Sequence, residues 1–87
     1  MSTTDLIRQR LAVLEPETYT LEDESEQHRG HAGAASGGGH FRLTIVSPRF
    51  RNLSTLARHR LVYESMGELM QREIHALSIT ALTPEEL

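Results

Sequence analysis

At 87 residues the chain has room for one small domain, and without cysteine that domain has neither disulfides nor a thiolate metal site to support it. A net charge of −3 gives no long-range attraction for nucleic acid or anionic membrane, and all nine basic residues are arginine, which excludes a P-loop lysine, a Schiff base and a lysine general base together. No apolar run approaches the ~20 residues of a membrane helix, and "MSTTDLIRQRLAVL" lacks the continuous apolar segment of a signal peptide, so the expected compartment is the cytoplasm.

Ser2 to Asp5 offer N-cap side chains, and Leu6, Ile7, Leu11 and Leu14 recur near helical spacing until Glu15-Pro16. This predicts a helix over about residues 4–15. "TYTLED" alternates, with Tyr19 and Leu21 on one side and Thr18, Thr20 and Glu22 on the other, which predicts a half-buried strand. "DESEQHRGHAGAASGGGHF", Asp23–Phe41, then places three histidines and five glycines between two strands. A connection this long and glycine-rich, over about residues 22–40, is expected to be mobile and functional. "HFRLTIVS" alternates again, with Phe41, Leu43 and Ile45 inward and Arg42 and Thr44 outward, before "SPRFRN" breaks it with a turn.

Ser54 or Thr55 caps "STLARHRLVYESMGELMQRE", where Leu56, Leu61, Val62, Met66, Leu69 and Met70 form an apolar stripe and Gly67 is placed to kink or divide the helix. "IHALSIT" reads as a third strand, and "TPEEL" as the first turn of a closing helix with Thr83 as cap and Pro84 at the first position. Three strands, one helical layer and no repeat indicate a two-layer α+β domain, in the order α, β, β, α or αα, β.

Taken alone, the candidate site residues have plain readings. His75 shares strand parity with Leu77 and Ile79, so by parity it is a packed strand-end histidine. "HRGH", His28 to His31, with His75 offers an independent zinc site, though one without visible rigidity behind its ligands. His59 stands at the start of the long helix, where the helix dipole disfavours a protonated imidazole. Arg58, His59 and Arg60 point in different directions around that helix. The plain reading is a solvated face with one buried member; the sharper one, with Arg49 and Arg51, is a docking surface for a partner or for phosphates. "GGGH" is no phosphate cradle, because no GK[ST] follows it. No paired nucleophile and base is apparent, so no catalysis is expected.

"DES", "HFRLTIVSPRF", "LS", "RHRLVYESMGELM", "IHALSI" and "TPEE" occur in order across roughly residues 5–86, and together they resemble the BolA family, in its histidine-loop form. The resemblance implies a class II KH-like fold, αββααβ, with a short C-terminal helical turn, a three-stranded mixed sheet and helices on one face, as a single domain over residues 1–87. It implies a monothiol glutaredoxin as partner, with which such proteins share a 2Fe-2S cluster. It also implies the ligands: His75 from the third strand, and a histidine from the loop after the first strand, which by position is His28 with His31 as the alternative. His40 is usual in the family and is read as structural or as supporting a ligand.

Histidine can replace two thiolates at one iron of such a cluster. A chain with no cysteine then needs the remaining thiolates from outside, which the resemblance assigns to a glutaredoxin cysteine and glutathione. The isolated chain is expected to carry no cofactor and to be monomeric, with a weak homodimer as the alternative. The competing function is DNA binding in transcriptional control of stress and morphology genes, through Arg49, Arg51, Arg58, His59 and Arg60. Against it, no GxxG loop of the kind KH domains use occurs around "RNLSTLARHR".

Overall fold

The structure is a computed structural model and describes residues 1–25 and 38–87. His28, His31 and most of the expected glycine-rich loop lie outside the described residues. The first helix, α1, spans Thr3–Leu11. Ser2 starts it, its hydroxyl accepting from the Asp5 N–H at 3.1 Å while its own N–H donates to the Asp5 carboxylate at 3.3 Å. Two orphan donors of the first turn are thereby satisfied. The α-helix is shorter than the predicted 4–15 because its last turn tightens into a 3₁₀ turn, Ala12–Leu14, which Glu15 ends at φ 49°.

The strands are β1 (Thr18–Asp23), β2 (Gly39–Val46) and β3 (Ile74–Leu82), in spatial order β1-β2-β3. β1 pairs antiparallel with β2, and β2 pairs parallel with β3. Alternation places Phe41, Leu43 and Ile45 in the core, with Tyr19, Leu21 and Ile79 partly buried against it. Thr20, Arg42, Ser78 and Thr80 are exposed on the other face. The sheet therefore has one wet face and one face covered by helices.

A parallel pair needs a crossover, and residues 47–73 supply it as a 3₁₀ turn, Pro48–Phe50, the helix α2 (Thr55–Met66) and a second 3₁₀ segment, Gly67–Gln71. Ser54 caps α2 by accepting from the Ala57 N–H at 3.1 Å. Gly67, at φ 56° and ψ −130°, ends the α-helical geometry, so the single long apolar segment divides in two. Val62, Met66 and Leu69 join Ile7, Leu11 and Leu14 of the α1 segment in the core, together with Phe50. Leu56 does not belong to this stripe and is 60% exposed. Six positions before Val62, it is rotated about 120° around the helix from the buried face. β3 continues past the expected "IHALSIT" to Leu82, and the closing turn, Pro84–Glu86, is 3₁₀ with Thr83 as its cap. No helix among the described residues is long and apolar enough to cross a membrane.

Phe50 is fully buried where the crossover leaves the sheet, within the core cluster that the strands and helices share. Phe50→Ala is expected to lower stability by about 3–5 kcal/mol. Urea denaturation should show this as a lower midpoint with the slope unchanged.

Candidate functional site

β2 and β3 both begin at the same end of the sheet, which brings His40 and His75 together. The register there is irregular: Gly39 faces Ile74, but the next residue, His40, faces Ala76. His75 is thus an extra residue on β3, a bulge that interrupts the two-residue alternation. Ile74 and Leu77 are both buried although three positions apart, while His75 and Ala76 between them are exposed. This corrects the parity reading: His75 is not packed with Leu77, because the bulge turns it out to solvent.

His40 is half-buried on β2, and its ring centroid lies 5.0 Å from that of His75, with the planes tilted by 40°. Its backbone is held from the end of β1. The His40 N–H donates to the Ser25 hydroxyl at 3.1 Å, and its carbonyl accepts from the Glu24 N–H at 2.7 Å. Ser25 is itself fixed by an N–H···Oδ1 bond of 2.9 Å to Asp23, and hydrogen bonding from Ser25 holds the Asp23 carboxyl below its ordinary value. Glu24 reaches Arg42 across the pair at 3.4 Å. The "DES" tripeptide is therefore a clamp on His40, a role that sequence spacing did not reveal.

Gly38 explains one of the glycines. It sits at φ +81°, and a Cβ there would lie 3.2 Å from the Cβ and the backbone nitrogen of His75. A side chain would strain the backbone and press on the bulge. Beside Gly38 opens a cleft of about 390 Å³ whose walls include Asp23, Ser25, Arg72 and Glu73. Among the described residues, no group of three or more histidine, aspartate or glutamate side chains is placed to hold a metal ion.

Arg49, Arg51 and Arg58 lie at the opposite end of the sheet, where β2 and β3 finish. Arg49 donates through Nε to Glu15 at 2.7 Å, and Arg51 through Nε to Glu85 at 2.9 Å. Arg58, with only 13% of its side chain exposed, donates to the Leu53 and Ala81 carbonyls, each at 3.0 Å, and to both carboxylate oxygens of Glu86 at 2.6 and 3.3 Å. It is a structural cross-link between the start of α2, the end of β3 and the C-terminal turn. His59 is half-buried and Arg60 exposed, so the "RHR" triplet forms no single patch. The structure thus places Arg49, Arg51 and Arg58 against carboxylates of the same chain, and brings His75 together with His40.

Residues 11–86 match the family model described as BolA-like protein. The chain belongs to the BolA family. It is 45% identical over 73 residues to BolA-like protein 1 of Mus musculus, covering 84% of this chain and 51% of that one. It is 34% identical over 87 residues to the DNA-binding transcriptional regulator BolA of Haemophilus influenzae, covering 99% and 82%. The chain therefore spans about half the length of the mouse relative and most of the bacterial one. Among solved structures, BolA1 from Arabidopsis thaliana superposes with a TM-score of 0.84 at 35% identity, covering 100% of this chain and 98% of that one. The small α+β domain with its three-stranded mixed sheet is the BolA fold.

The Arg58–Glu86 pair generates a pH prediction. Hydrogen bonding to Arg58 pushes the Glu86 carboxyl from 4.5 down to about 2 in the folded chain. A carboxyl depressed on folding contributes stability above its unfolded value, and that contribution is lost as pH falls towards the folded value. Stability should therefore decline between about pH 4.5 and 2. In Glu86→Gln, urea midpoints measured across this window should fall less steeply than in the parent.

Proposed function

We propose that the chain is a BolA-type adaptor that shares a 2Fe-2S cluster with a monothiol glutaredoxin and glutathione, in iron–sulfur trafficking or iron and redox regulation, with no catalysis of its own. The observation that carries this reading is the outward turn of His75 at the β3 bulge. An imidazole on a bulge between two residues paired to β2, and open to solvent, is available to a group carried by another protein. His75 is one ligand in this reading and His28 the second, with His31 as the alternative. The thiolates come from the partner, since this chain has no cysteine. Two neutral imidazoles in place of two thiolates remove two negative charges from the iron, which raises the reduction potential and makes ligation sensitive to pH.

DNA binding ranks second. It draws on the H. influenzae relative, a DNA-binding transcriptional regulator. A phosphate contact by Arg49, Arg51 or Arg58 has first to displace a carboxylate of this chain, and the net charge of −3 adds no steering.

The test is to mix the chain with cluster-loaded monothiol glutaredoxin and glutathione and to record visible absorption and circular dichroism. His75→Ala is expected to abolish the mixed-complex spectrum while leaving far-ultraviolet dichroism and the urea midpoint near the parent values, because truncating an exposed side chain opens no core cavity. An unchanged visible spectrum would remove His75 from the ligands. Unfolding of the variant would restore the packed-histidine reading.

A further inference from the structure

We propose that the chain associates with a second copy of itself through the outer face of α2, the two copies related by a twofold axis that sets Arg60 of each against Glu64 of the other. The inference goes beyond the reading above and draws on neither a cluster nor glutaredoxin.

The face lies opposite the one that α2 buries. At about 100° per residue, positions 56, 57, 60, 61 and 64 share an arc of about 140°, turned away from Val62 and Met66. Two adjoining hollows, of about 330 and 310 Å³, run along it. Leu56 and Ala57 line the first, Val13 lines the second, and Leu61 and Glu64 line both, so the two form one groove. Each hollow has a large apolar side chain open to water, Leu56 at 60% and Val13 at 61% exposure. Removing such surface from water drives association.

The charges on the groove select its occupant. Arg10, Arg42, Arg49, Arg51 and Arg58 each meet a carboxylate of this chain, whereas among the described residues Arg60 and Glu64, both exposed in the groove wall, make no ion pair. They stand four positions apart on one helix face, but with the cation N-terminal to the acid, the less favourable order for a pair within a helix. A twofold interface is self-complementary: where residue i meets residue j, j also meets i. Two copies of α2 packed antiparallel therefore make the Arg60–Glu64 contact twice, and its midpoint at position 62 brings Leu61 close to its own copy. An unrelated acidic or basic surface would satisfy only one of the two charges. One helix face is smaller than the ~1,600 Å² of a standard interface, so the dimer is expected to be weak and reversible.

The experiment is sedimentation velocity on the full chain from micromolar to near-millimolar concentration, with far-ultraviolet circular dichroism as the check on folding. The parent is expected to show a reversible monomer–dimer equilibrium. Arg60→Glu gives the groove two acidic side chains and Glu64→Arg two basic ones, so each variant alone should dimerise at least about tenfold more weakly, because like charges are brought together. Mixed in equal amounts, the two variants should associate again as a heterodimer, and the double variant Arg60→Glu/Glu64→Arg should recover the parent's equilibrium. Leu56→Ser, at an exposed position, should also shift the equilibrium towards monomer, and it serves where a charge variant fails to fold. A parent chain that stays monomeric throughout would overturn the proposal and leave the groove to a different partner. Dimerisation undiminished in both single variants, or no association on mixing them, would overturn it as well. Glutaredoxin is absent throughout, so each result leaves the cluster experiment to be judged separately.

Discussion

The parallel pairing of β2 with β3 is the constraint on which the rest of the molecule depends. Two parallel neighbours cannot be joined by a hairpin, so the chain must leave the end of β2, cross the sheet and return to its start. Residues 47–73 make that return, and the helix they contain supplies Val62 and Met66 to cover the inner face. The same pairing decides where chemistry can collect. Both strands start at one end, so residues 40 and 75 meet despite 35 positions between them in sequence. Both strands finish at the other, where their trailing segments bring arginines and carboxylates together.

These two ends settle their polar groups differently. At the finishing end, Arg58 satisfies two strand and turn carbonyls as well as Glu86, while Arg49 and Arg51 take Glu15 and Glu85. Exposed pairs of this kind are individually worth little. Arg58 differs, because it is largely buried and ties three segments, so its charge is committed to the fold. At the starting end, the backbone is satisfied by Asp23, Glu24 and Ser25 while the His75 ring is left facing water. A phosphate-binding surface would need uncommitted cations, and Arg49, Arg51 and Arg58 are each committed to a carboxylate of this chain.

Much of the fold was legible because it is written in local periodicity. Alternation in "HFRLTIV" located β2 and its inward residues, the Ser2 and Ser54 caps marked both helix starts, and Gly67 divided the long apolar segment as its position implied. What failed was non-local. Parity along β3 placed His75 inward because nothing within "IHALSI" announces a bulge; the extra residue appears only when β3 is aligned against β2. Arg51 and Glu85, 34 positions apart, read separately as a contact residue and a helix-turn acid, and only the fold makes them partners. Leu56 reads as part of the apolar stripe, but its angular position relative to Val62 turns it to solvent. The Asp23–Ser25 clamp had a visible signal in "DES", a side-chain acceptor two residues before a serine, but its object lies 15 residues on.

In the proposed reading, the chain's incomplete ligand set is itself functional. Structural metal sites close four positions with protein donors, and the metal then becomes part of the folding free energy. This domain folds around an apolar core of Leu43, Ile45, Phe50 and their neighbours, which needs no metal to be complete. His75 stands at the rim of that core, so in the proposed reading a cluster would come and go without the fold opening, and it would take its remaining ligands from another molecule. In the proposed reading, a rigid sheet end with His75 turned outward would suit the receipt of a metal group that another protein also holds, because release from this side exposes no apolar core. The bulge makes this compatible with stability: it turns one side chain out of the alternation while Ile74 before it and Leu77 after it remain buried.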